Sequence, residues 1–80
     1  MVMIAVDDER LALEGILSAI NKVVSEEETH GFRSPDEALQ FVREHVVDVA
    51  FLDIEMRQMN GITLAKKLKA LYPKINPNYS

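Results

Sequence analysis

Two short apolar runs, each stopped by acids, limit this chain more than any other feature. Val2-Met3-Ile4-Ala5-Val6 runs into Asp7-Asp8-Glu9, and Val46-Val47-Asp48-Val49-Ala50-Phe51-Leu52 ends at Asp53. Runs of this length and apolarity suit strands buried on both faces, which belong to parallel sheets covered by helices. The intervening stretches have the period of helices. Leu13, Ile16, Leu17, Ile20, Val23 and Val24 predict a first helix from Glu9 to about Val24. Asp8 and Glu9 lie near its start and Lys22 near its end, each at the terminus its charge favours. After a charged break at Ser25 to Glu28, Thr29 to Arg33 is short and polar, as an edge strand can be. Ser34-Pro35-Asp36-Glu37 is a helix start, with a capping serine, a proline in the first turn and a glutamate to complete a capping box. That helix is expected to reach about His45 through Ala38, Leu39, Phe41 and Val42. Asn60-Gly61 marks a turn and a cap. Ile62, Leu64, Ala65, Leu68, Leu71 and Tyr72 form the inward stripe of a third helix that Pro73 ends. Residues 74–80 read as a loose tail, because Asn76-Pro77-Asn78 interrupts any strand begun at Ile75. The pattern β-α-β-α-β-α implies a parallel sheet with right-handed crossovers.

Composition narrows the class of protein. Eighty residues make one domain, and 48% hydrophobic content excludes a disordered tail. No cysteine is present to staple so small a fold or to hold zinc, and this fits a reducing compartment. Nine basic against thirteen acidic side chains give a formal charge of −4, which argues against direct nucleic-acid binding. No apolar run approaches the ~20 residues of a membrane span. The first residues lack the basic start of a signal peptide, so a cytoplasmic domain is expected.

The placement of the acids carries the chemistry. Asp7 and Asp8 follow the first strand and Asp53 ends the third. In an open parallel sheet the carboxyl ends of the strands form the ligand-binding edge. If those strands are neighbours, three carboxylates converge. Two like charges ~4 Å apart repel by about 4 kcal/mol at an effective dielectric of 20. Either one carboxylate takes up a proton or a cation sits among them. A hard divalent ion such as Mg²⁺ suits few carboxylates and several retained waters. The plainer alternative is that these acids only end strands and begin helices.

These residues resemble the receiver domain of two-component response regulators. The resemblance rests on Ile4-Ala5-Val6-Asp7-Asp8-Glu9, Val49-Ala50-Phe51-Leu52-Asp53-Ile54-Glu55-Met56 and Met59-Asn60-Gly61, in this order and at these separations. Leu11-Ala12-Leu13-Glu14 and Asp53-Ile54-Glu55-Met56 look like receivers attached to LytTR-type DNA-binding domains. The resemblance implies an α/β, flavodoxin-like (CheY-like) fold, three-layered in the family. Here it covers only the first three β-α units, with strand order 2-1-3: a partial receiver over residues 1–73, then the tail at 74–80. It further implies that Asp53 is the phosphoacceptor and that a histidine kinase is the donor. Mg²⁺ would be held directly by Asp8 and Asp53, through a water by Asp7, and by the main-chain carbonyl of Glu55. An output DNA-binding domain would lie outside this chain. Such a protein is a signalling module rather than a turnover enzyme.

The departures from the family pattern set further expectations. Receivers have five β-α units, with a fourth strand ending in Thr or Ser and a fifth ending in Lys. Neither is expected here, so switching should be impaired. Arg57-Gln58 stands where the family usually has Pro-Gly. With no fourth strand, the apolar segment 46–52 would be a free edge, and pairing through it predicts a homodimer or higher oligomer. Two other functions compete: a receiver-like interaction module that is not phosphorylated, and a haloacid-dehalogenase-type enzyme. The second wants an Asp two residues after the nucleophile, where Glu55 stands. His30 and His45 read as an edge-strand residue and a helix-terminal residue, Met56 and Met59 as loop packing, and Tyr72 and Tyr79 as packing and tail.

Overall fold

The computed structural model describes residues 1–80 as seven elements: β1 (Val2–Val6), α1 (Arg10–Val23), β2 (Glu28–Phe32), α2 (Pro35–Glu44), β3 (Val49–Leu52), α3 (Gly61–Leu71) and β4 (Asn76–Tyr79). The strands form one parallel sheet in the order β2-β1-β3-β4. β1 is central, with Val6 opposite Phe32 on one side and Leu52 on the other. Its side chains alternate between two cores, as the two-residue period of a strand requires. Ile4 and Val6 join Leu39, Val42, Leu52, Leu64 and Leu68 under α2 and α3. Met3 and Ala5 join Leu13 and Ile20 under α1. This is the layered arrangement that the unbroken apolar run at 2–6 calls for. No helix is long and apolar enough to cross a membrane.

The helix starts follow local chemistry. Ser34 Oγ accepts the Glu37 N–H at 3.4 Å and Pro35 occupies the first turn of α2. Asn60 Oδ1 accepts the Ile62 N–H at 2.7 Å at the start of α3. α1 begins at Arg10, one residue later than expected, with no side-chain bond from its cap residue Glu9. At its C-terminus α2 stops where the His45 ring meets the Phe41 carbonyl, 3.1 Å from Nδ1.

The expectations fail at the far side of the sheet. Residues 76–79, read as part of a loose tail, form β4, so the order is 2-1-3-4 rather than 2-1-3. Pro77 does not break this strand because its missing N–H faces away from the ladder. Asn76 donates to Asp48 O at 2.9 Å and Ser80 to Leu52 O at 3.0 Å, and Pro77 is out of phase with both. Proline is tolerated in that phase of an edge strand. Ile75, 1% exposed, anchors the approach. β3 is also shorter than the expected Val46 to Leu52. Val46 is exposed and Val47 is buried ahead of the ladder, which Asp48 closes by taking the Val2 N–H on Oδ2 at 2.8 Å. Segment 46–52 is therefore not a free edge: β3 lies between β1 and β4, and the ground for an oligomer through that segment is removed.

Candidate functional site

β1 and β3 are hydrogen-bonded neighbours, so both deliver their terminal acids to one edge of the sheet. The Asp53 N–H bonds to Val6 O at 3.0 Å and the Asp7 N–H to Phe32 O at 3.1 Å, which continues the ladder into the site. One carboxylate oxygen each from Asp7, Asp8 and Asp53 lies within 4.8 Å of the others. Asp7 is 5% exposed, and Asp8 and Asp53 are half-buried. The three expected carboxylates are thus brought together. Glu55 is exposed and outside this cluster, which leaves only its main chain for the expected role.

Each acid has its own support. Asp7 Oδ1 accepts the Glu9 N–H at 3.0 Å, turning the chain from β1 into α1. Asp8 Oδ2 accepts the Arg57 N–H at 2.9 Å, and its carbonyl accepts Arg33 Nε and Nη2 at 3.3 and 3.2 Å. Asp53 precedes the loop that leads to α3, and Gly61 closes that loop by donating to Ile54 O at 2.8 Å. A Cβ on Gly61 would collide with the Asp53 carbonyl oxygen. Gly61 has no positive φ, so close approach alone requires glycine there.

The electrostatics follow from this crowding. The Asp53 carboxyl is raised above its ordinary range, first by desolvation and next by the charge of Asp7; the Glu55 main-chain amide opposes the shift, and Asp8 and Glu55 add smaller upward contributions. A carboxylate disfavoured in this way is relieved by a proton or by a cation. All the cluster's ligand atoms are hard oxygens, which suits Mg²⁺ and not a soft metal.

Three residues of this neighbourhood were not singled out by the sequence as site residues. Ser80 follows Tyr79, which pairs with Leu52, so the register sets Ser80 beside Asp53. Its N–H and carbonyl bond to Leu52 O at 3.0 Å and to the Ile54 N–H at 3.2 Å. The signal was an extended run from Ile75 ending in a hydroxyl residue, obscured by Pro77. Arg33 and Arg57 carry no motif, and only the fold brings them to Asp8.

Among known proteins, the model of the response regulator receiver domain matches residues 3–76. The chain belongs to that family. Receivers are signalling phosphoacceptor modules, not turnover enzymes. The crystal structure of a two-component transcriptional regulator AraC from Clostridium phytofermentans ISDg is similar to this receiver at a TM-score of 0.87 and 29% identity, over 99% of this chain and 64% of that one. An uncharacterised protein from Neptuniibacter caesariensis matches at 0.84 and 26%, over 92% of this chain and 53% of that one. The MaeR response regulator bound to beryllium trifluoride superposes at 0.88 over 100% of this chain and 66% of that one; at 14% identity it shows the fold alone. This receiver thus spans less than two thirds of the first two structures. No curated protein sequence matches it.

Proposed function

We propose that Asp53 accepts a phosphoryl group from a partner histidine kinase in the cytoplasm, with Mg²⁺ held by Asp7, Asp8, Asp53 and the Glu55 carbonyl. The observation that supports this is the gathering of three carboxylates within 4.8 Å at the ends of β1 and β3. An Asp53 carboxylate oxygen attacks phosphorus in line. An O–P bond forms as the P–N bond to the donor histidine breaks, and the imidazole leaves with the electron pair. A carboxylate is a weak nucleophile toward an anionic phosphoryl group, so orientation and charge neutralisation decide the rate. Bound Mg²⁺ supplies that neutralisation. The protein's own part is positional: the Val6 and Gly61 contacts fix the backbone of Asp53 and its loop, and Asp7 and Asp8 flank its side chain. Ser80 follows Tyr79, the partner of Leu52, and we infer that its hydroxyl serves the phosphoryl oxygens.

The lysines at 66, 67, 69 and 74 lie on or after α3 and not at the carboxyl end of a strand, so none takes the role of the lysine that ends a receiver's fifth strand. For these 80 residues tested alone, we infer slow phosphotransfer and impaired switching. In a longer protein the receiver would control a DNA-binding output domain, as the transcriptional regulator of similar fold suggests.

Intact-mass analysis with acetyl phosphate and Mg²⁺ tests the proposal. One phosphate is expected on the wild type and none on Asp53→Asn or after chelation. No gain on the wild type would favour an unphosphorylated interaction module, and a gain retained by Asp53→Asn would place the acceptor elsewhere.

A further inference from the structure

Asp8 is held unlike its two neighbours. Its Oδ2 accepts the Arg57 main-chain N–H at 2.9 Å and lies 3.8 Å from Arg57 Nε. Neither Asp7 nor Asp53 has a cationic side chain paired with it. The Arg57 side chain is 88% exposed while that of Asp8 is 20% exposed, so the guanidinium reaches in from solvent over a half-buried acid. A cleft of about 300 Å³ lined by Asp8, Arg33, Ser34, Pro35, Arg57 and Gln58 adjoins the pair.

We propose that Arg57 is the site's own counter-cation and sets its affinity for a divalent metal. The inference rests on the Mg²⁺ reading above and adds a residue to it. With no metal present, the guanidinium offsets part of the repulsion among the three carboxylates. A divalent ion entering the cluster meets that positive charge and gains less, because the acid it approaches is already partly neutralised. The main-chain N–H at position 57 orients Asp8 whatever the side chain is, so only the charge is at stake in a side-chain substitution. Solvent-exposed ion pairs are weak and screened by salt, which bounds the effect to a few-fold and makes it depend on ionic strength.

Mg²⁺ titration by calorimetry at low salt, on the wild type, Arg57→Ala and Arg57→Lys, is the test. Arg57→Ala is expected to lower the Kd by about two- to fivefold, with the gap narrowing in high salt. Arg57→Lys, which keeps the charge, is expected to stay closer to the wild type. Without metal the Tm of Arg57→Ala should fall below that of the wild type. An unchanged or higher Kd in Arg57→Ala would overturn this inference while leaving the metal reading intact. Absence of Mg²⁺ binding in the wild type would overturn both.

Discussion

Replacing Gly61 by alanine sets two opposite effects against each other. Gly61 is the first residue of α3, and alanine inside a helix is favoured over glycine by about 1 kcal/mol. Propensity alone therefore makes Gly61→Ala neutral or stabilising. The structure reverses the sign, because the new Cβ would overlap the Asp53 carbonyl oxygen. That oxygen cannot yield as a side-chain tip would. It belongs to a peptide whose neighbours are tied by Asp53 N–H to Val6 O at 3.0 Å and by Gly61 N–H to Ile54 O at 2.8 Å. Overpacking against well-ordered atoms costs about 1–3 kcal/mol. A chain this size has about 4–12 kcal/mol in total, so the loss is a large share. The urea midpoint should fall by about 1–3 M, given a slope near 1 kcal/mol/M. Gly15→Ala is the control, since a Cβ there meets nothing within 4 Å and α1 should gain about 0.5–1 kcal/mol. A Gly61→Ala protein as stable as Gly15→Ala would refute the claim that close approach to Asp53 demands glycine.

Other substitutions probe separate parts of the account. Because burial and Asp7 raise the Asp53 carboxyl, the folded state binds that proton more tightly than the unfolded chain does. Its ionisation therefore penalises folding above the raised pKa and has no effect below the unfolded value of about 4. Asp53→Asn should accordingly raise the urea midpoint at pH 7, with the gain vanishing on acidification through the carboxylate range; a gain independent of pH would exclude the ionisation as its cause. Mg²⁺ at about a hundred times its Kd should stabilise the wild type by about 2.7 kcal/mol, or ~10–20 °C in Tm, and Asp7→Asn should show much less by calorimetric scanning. Ile75→Ala should cost about 2–5 kcal/mol and speed hydrogen exchange at Asn76 and Ser80, since Ile75 anchors β4 at 1% exposure. Retained protection at those amides would mean that β4 does not depend on that anchor.

The legible part of the fold is the part written as local pattern. The buried run at 2–6 and the Ser34-Pro35 and Asn60-Gly61 starts each state their structure within a few residues; the stripes of α1 and α3 do so only in part, because Val23, Ile62 and Leu71, at or near the helix ends, point to solvent. The two apolar runs ending in acids made Asp7, Asp8 and Asp53 candidates, and the strand order 2-1-3 implied by the family resemblance is what set β1 beside β3 and brought the three acids together. β4 was not legible, because Asn76-Pro77-Asn78-Tyr79 has no apolar alternation and three of its four residues are of types depleted in strands. It is a strand because Ile75 is buried and because β3 offers open carbonyls at Asp48 and Leu52, facts of tertiary structure. Ser80 was missed for the same reason. Arg57 was seen as a departure from the family pattern, but its contact with Asp8 spans 49 residues of chain and no local rule reports it.

The claim on which the rest depends is that Asp7, Asp8 and Asp53 act as one divalent-ion site. Amide chemical-shift mapping during a Mg²⁺ titration addresses it residue by residue. The expected result is a single saturable Kd, with shifts concentrated at Asp7, Asp8, Asp53 and Glu55. Shifts spread over the surface acids, or centred on Glu26, Glu27 and Glu28, would contradict it.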